Sequence, residues 1–131
     1  MSVKIRLEHG LPFISVTVCY RGKSLTLDDV LLDTGSAGTL FSADQLDDVG
    51  IHIERGDEIY MIRGVGGGEY VFGKEVETLI VDGVASGPFE IEIGAMKYGR
   101  KMDGIVGMNL LTKLSARINL ADMELSLGSE I

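Results

Sequence analysis

Residues 13–20, FISVTVCY, alternate cleanly: Ile14, Val16, Val18 and Tyr20 fall on one face of an extended chain, and Phe13, Ser15, Thr17 and Cys19 on the other. A helix would scatter both sets around its axis, so the pattern commits this segment to a half-buried strand. Arg21-Gly22-Lys23-Ser24 then reads as a hairpin turn into LTLDDVLLD, residues 25–33. Runs of the same kind recur as EIYMIRGV (58–65), EYVFGKEVETLIVDG (69–83) and PFEIEIG (88–94), and the terminal pair ARINL and ELSLG is joined by Ala121-Asp122-Met123. The chain's 18 glycines fall largely between such runs, which predicts a mainly antiparallel all-β fold. Two short helices are expected within it. SADQLDDVG (42–50) has Ser42 and Gln45 at capping-box spacing and Gly50 to end it, and MNLLTKLSA (108–116) follows Gly107.

At 131 residues the chain has the length of one domain, and residues 1–131 are read as a single unit with no linker or internal repeat. The apolar share of 45% and charged share of 24% are ordinary for a globular protein, and no apolar run approaches spanning length. A net charge of -8 argues against capture of nucleic acid, which needs clustered Lys and Arg. Glu8, His9 and Gly10 interrupt any apolar leader-like run near the N-terminus, and Cys19 is the only cysteine. No intrachain disulfide is possible and the expected setting is cytoplasmic, without a membrane partner. His9, His52 and Cys19 form no zinc-binding pattern, and Asp44, Asp47 and Asp48 read as a solvated helix face rather than a calcium loop.

One carboxylate stands out. Asp33 directly follows Val30-Leu31-Leu32 and opens Asp33-Thr34-Gly35-Ser36, a tetrapeptide that occurs once in the chain. Gly35 permits a tight turn and Thr34 supplies a short hydroxyl, so the turn can hold the aspartate still. Taken alone, an Asp after a strand most often ends the strand or caps a turn. Further along, MIRGVGGGEYVFG (61–73) has a glycine-rich hairpin tip, and Ile105-Val106-Gly107 sits before the second helix. Taken alone, these read as an ordinary hairpin turn and a buried strand end.

In this order, LLDTGS, the glycine-tipped hairpin and DGIVGMNLLTKLSARINL (103–120) resemble the aspartic peptidases, specifically the single-domain retropepsin-like type. The resemblance spans about Leu11 to Leu120 and implies an acid-protease β-barrel with a flap hairpin. It also implies that Asp33 is catalytic and that Thr34, Gly35 and Ser36 support its loop, Thr34 bonding across a two-fold axis and Ser36 donating to Asp33. Gly64, Val65, Gly66 and Gly67 would form the flap over substrate, with Ile105 a further wall residue. Val106 and Gly107 would frame the aspartate loop from behind. No metal, nucleotide or other cofactor is implied.

Family chemistry needs two carboxylates, which share a proton because close like charges do not both ionise cheaply. Neither Asp82-Gly83 nor Asp103-Gly104 has the intervening Thr of a second copy, so a symmetric homodimer contributing Asp33 twice is expected, acting on a peptide or protein substrate. Two positions depart from the pattern. Where retroviral relatives commonly pair an Asp with an Arg, this chain has Ala37 and Met108. Its terminal ADMELSLGSEI resembles cellular and bacterial relatives rather than the interface strands of retroviral dimers. The Ala37 and Met108 departures keep open a dimeric peptide-binding or scaffolding module with weak or absent hydrolysis, and, because the sequence fixes the need for a partner but not its identity, one half of a heterodimer or one piece of a larger assembly is a third reading.

Overall fold

Alternation around Ile14 builds the strand on which the rest of the main sheet is laid. The computed structural model describes residues 2–64 and 67–128. In chain order the strands run β1 (Ser2–Lys4), β2 (Arg6–Glu8), β3 (Leu11–Tyr20), β4 (Lys23–Leu32) and β5 (Leu40–Ser42). After the helix α1 (Ala43–Leu46) come β6 (Ile59–Gly64), β7 (Gly67–Val76), β8 (Thr78–Val81), β9 (Val84–Ala85), β10 (Phe89–Gly94) and β11 (Gly104–Val106). The chain finishes with α2 (Met108–Lys113), β12 (Arg117–Asn119) and β13 (Glu124–Ser126).

The expected faces of β3 are realised: Ile14, Val16, Val18 and Tyr20 are buried, while Ser15, Thr17 and Cys19 are only half-buried. Phe13 departs from its polar face and is buried too, with the Arg6 and Arg100 guanidinium groups 5.9 and 5.7 Å from its ring centre. The hairpin into β4 turns through Arg21 and Gly22 with φ of 48° and 80°, closing Tyr20 against Lys23. Two successive residues at positive φ match the twist of the flanking strands.

The main sheet follows the order β6-β7-β10-β5-β11-β4-β3-β8-β9, with β2 beside β3, and a small second sheet has the order β1-β13-β12. Pairing is mainly antiparallel, as expected, with two exceptions: β10 with β5 and β11 with β4 are parallel. The two parallel pairings involve the strands on either side of the Asp33 loop, β4 before it and β5 after it. EYVFGKEVETLIVDG is not one strand. It divides at Glu77, whose N–H donates to Cys19 O at 3.0 Å and whose Oε1 accepts the Gly22 N–H at 3.0 Å, as the chain changes partner from β10 to β3.

The first helix is shorter than expected and its capping box does not form. Ser42 caps nothing with its side chain; it is buried at the end of β5, where its N–H donates to Asp103 O. Asp47–Val49 continues as a 3-10 turn ended by Gly50 at φ 78°. The core gathers β3, β4, β5, β10, α1 and α2 around Val18, Val30, Phe41, Leu46, Ile93 and Leu110. Each such side chain contributes on the order of 1.5–3 kcal/mol when fully withdrawn from water. Among the described residues no helix is long and apolar enough to cross a membrane.

Candidate active site

Strand β4 carries Val30-Leu31-Leu32 into the interior alongside Gly104-Ile105-Val106, and the ladder continues one step further, with Asp33 N–H donating to Val106 O at 2.9 Å. There the chain turns sharply. Ser36 N–H donates to Asp33 O at 3.2 Å, and Gly35 N–H donates to the Asp33 carboxylate Oδ1 at 2.9 Å. A backbone donor to one oxygen fixes the rotation of the side chain. Asp33 is half-buried at the end of this ladder, while Thr34 and Gly35 are exposed in the single chain.

Ser36 differs from the expectation. Its hydroxyl donates to Gly38 O at 2.9 Å, so it braces the loop across its own turn rather than donating to Asp33. The donor that reaches Asp33 is the neighbouring backbone.

Helix α2 holds the loop from behind. The first N–H groups of a helix have no partner within it. Here Met108 N–H donates to Ser36 O at 2.7 Å and Asn109 N–H to Ala37 O at 3.1 Å. Gly107 makes that approach possible, because a Cβ at this position would lie 2.0 Å from Gly38 O and 2.6 Å from Ser36 O. A fully buried hydroxyl completes the junction: Thr39 Oγ1 donates to Asn109 Oδ1 at 2.7 Å and accepts the Gly107 N–H at 3.3 Å. Thr39 and Asn109 were not singled out from sequence. Thr39 is 70 positions from Asn109, and the antiparallel pairing of β11 with β5, which sets Ile105 opposite Leu40, brings the two together.

The glycine-tipped hairpin is β6 with β7, paired from Ile59↔Phe72 out to Gly64↔Gly67. Val65 and Gly66, named as substrate-binding candidates, lie outside the described residues. Cross-strand register places Tyr60 opposite Val71 and Ile62 opposite Glu69. Tyr60 and Ile62 pack on a small apolar cluster of Leu40, Val71 and Met96, which Ile105 and Met102 also join. The hairpin's base and the strand behind the Asp33 loop therefore share one patch of apolar surface. Tyr60 donates its hydroxyl to Glu92 Oε2 at 2.9 Å, and burial, reinforced by that carboxylate, raises the phenol above its ordinary value.

A separate cavity of about 400 Å³, lined by Glu8, His9, Phe13, Asp29, Arg100 and Lys101, includes none of the candidate residues. Asp29 is already ion-paired there, with Arg6 at 2.7 Å and Lys101 at 2.8 Å. Among the described residues no group of three or more His, Cys, Asp or Glu side chains is arranged to hold a metal ion.

No family model and no curated protein matches the chain. Among solved structures it is similar to a retropepsin-like aspartic protease from Rickettsia conorii, with a TM-score of 0.68 over 95% of this chain and 97% of that chain. The fold is retropepsin-like and all-β. Sequence identity over that match is 16%, so the likeness is one of backbone architecture. Within this retropepsin-like fold, Asp33, Thr34, Gly35 and Ser36 form one loop, Val106 and Gly107 lie against it, and Ile105 contributes to the apolar patch shared with the hairpin.

Proposed function

We propose that the chain is an aspartic endopeptidase that acts as a symmetric homodimer and hydrolyses extended peptides with apolar residues around the scissile bond. The observation that carries this reading is the single Asp-Thr-Gly loop in a retropepsin-like fold, with Asp33 held by Val106 O and Gly35 N–H. In the dimer the two Asp33 carboxylates face each other and share one proton. The ionised member takes a proton from water as the water oxygen attacks the scissile carbonyl carbon. The protonated member gives its proton to the carbonyl oxygen, forming a neutral tetrahedral diol. Collapse of the diol breaks the C–N bond, with a proton passing to the leaving nitrogen and the shared proton restored to the pair.

Thr34, exposed in one chain, is proposed to bond to the partner's loop. Val65 and the flanking glycines close over the peptide, whose main chain pairs with the hairpin like an added strand. Ile105 lines the groove. Cys19 as the sole cysteine supports a cytoplasmic setting.

Peptide release from a denatured protein mixture, followed by mass spectrometry from acidic to neutral pH, tests the reading. Wild type is expected to release peptides and Asp33→Asn none, with dimerisation intact. Ala37 and Met108 favour a second reading, a groove that binds peptides without turning them over. Equal peptide affinity in wild type and Asp33→Asn, with no wild-type turnover, would select it.

A further inference from the structure

The proposed chemistry leaves one carboxylate on the hairpin without a role. Glu69 stands across from Ile62 on the face that packs toward the Leu40–Val71–Met96 cluster, and both its oxygens are engaged by one loop, the segment between β10 and β11. Oε2 accepts the Met96 backbone N–H at 2.8 Å, and Oε1 accepts the Tyr98 hydroxyl. The position is built for this group. A Cβ at Gly94 would fall 2.7 Å from Glu69 Oε2, so a side chain there would push the carboxylate out of this position.

Met96 itself sits at φ 54°, a left-handed conformation that is strained for a non-glycine residue and persists only when its surroundings hold it. Burial of its side chain against Leu40 and Val71 is one restraint, and the Glu69 bond to its N–H is the other. The opposite strand of the hairpin is tied at its base by Tyr60 and Glu92, and Glu92 in turn fills the space beside Gly38, where a Cβ would meet Oε1 at 2.5 Å.

We propose that Glu69 is a positioning residue that fastens the glycine-tipped hairpin to the 95–102 loop, holding Met96 in the buried apolar patch on which Ile105 packs and setting peptide affinity rather than the chemical step. This rests on the peptidase reading for its consequence, though not for the clamp itself. A carboxylate suits the task because it accepts two donors at once. Glutamine keeps one carbonyl oxygen for the Met96 N–H, and its amide can donate to the Tyr98 oxygen, so it retains part of the clamp; alanine retains none.

Amide hydrogen exchange at Met96, read by NMR, is compared in wild type, Glu69→Ala, Glu69→Gln and Tyr98→Phe, alongside kcat and KM on a peptide that wild type cleaves. Loss of a charge-assisted bond predicts exchange at Met96 faster by about tenfold in Glu69→Ala, with Glu69→Gln between it and wild type. KM should rise several-fold in the order wild type, Gln, Ala, with kcat within about twofold. Unchanged exchange at Met96 in Glu69→Ala would overturn the clamp, and a fall in kcat at constant KM would overturn its assignment to affinity. Should Glu69→Ala not fold, Glu69→Gln and Tyr98→Phe decide the same question. A wild type without turnover would count against the peptidase reading alone, since the exchange result still decides whether Glu69 holds the loop.

Discussion

Replacing Thr39 by Val keeps the shape of a fully buried side chain and removes one oxygen that serves two partners. The buried Gly107 N–H loses its acceptor, which costs about 1–3 kcal/mol for an orphaned donor. Thr39's own bond to Asn109 is worth about 1 kcal/mol net, and Asn109 Oδ1 is not stranded because it still accepts the Leu110 N–H at 2.8 Å. Burying a methyl in place of the hydroxyl returns about 0.8 kcal/mol. The expected net loss is about 1–3 kcal/mol. Urea denaturation at one fixed protein concentration should show this as a midpoint lower by about 1 M with an unchanged slope. Pairing the change with Asn109→Ala should give a coupling energy of roughly 0.5–1.5 kcal/mol, because the two side chains share a bond. A midpoint within about 0.2 M of wild type would refute the view that Thr39 locks the Asp33 loop to α2.

Gly107→Ala should be at least as damaging, since its Cβ meets two backbone carbonyls of the loop that cannot move like a side-chain tip; overpacking of this kind costs about 1–3 kcal/mol or more, read from the same denaturation curves. The buried Lys74, bonded to Asp57 at 2.6 Å and Glu54 at 2.8 Å, predicts a pH dependence. Hydrogen bonds from Lys74 depress both carboxyl groups, so their contribution is present above the ordinary carboxylate range and is lost as pH falls through their lowered values. Burial alone would lower the Lys74 ammonium, but its bonds to Asp57 and Glu54 win and its pKa is raised, so its contribution holds below its ordinary value and fades as pH rises through the folded one. Lys74→Met should therefore lower the thermal midpoint near neutral pH and flatten its acid limb, which thermal scans across pH will check. Glu92→Gln should bring forward the ionisation of a late-titrating tyrosine, and Tyr60→Phe should abolish that phase, both followed by ultraviolet absorbance.

Much of the fold was legible because its signals are local. The alternation of β3, the Arg21-Gly22 turn and the glycine that ends the first helical segment each depend on neighbours in sequence. Ser42 misled because its capping-box spacing is also compatible with a strand end, and burial beside Asp103 decided the outcome. Glu77 gave no local sign of a break, since what divides β7 from β8 is a change of partner strand. At the candidate site, Asp33 and its loop announced themselves through one unusual tetrapeptide, whereas Ser36's acceptor depended on how the loop folds back. Thr39, Asn109, Glu69 and Glu92 carry no motif; each acquires a role only when strand pairing brings distant segments side by side.

The central claim, that one active site is assembled from two copies of Asp33, is tested most directly by mixing subunits. Wild type and Asp33→Asn protein are combined in varying ratio at constant total concentration, allowed to exchange, and assayed for peptide release. A shared pair predicts activity falling as the square of the wild-type fraction, to about one quarter at equal mixing. A linear fall, to about one half at equal mixing, would mean that each chain works alone and would contradict the paired-carboxylate account.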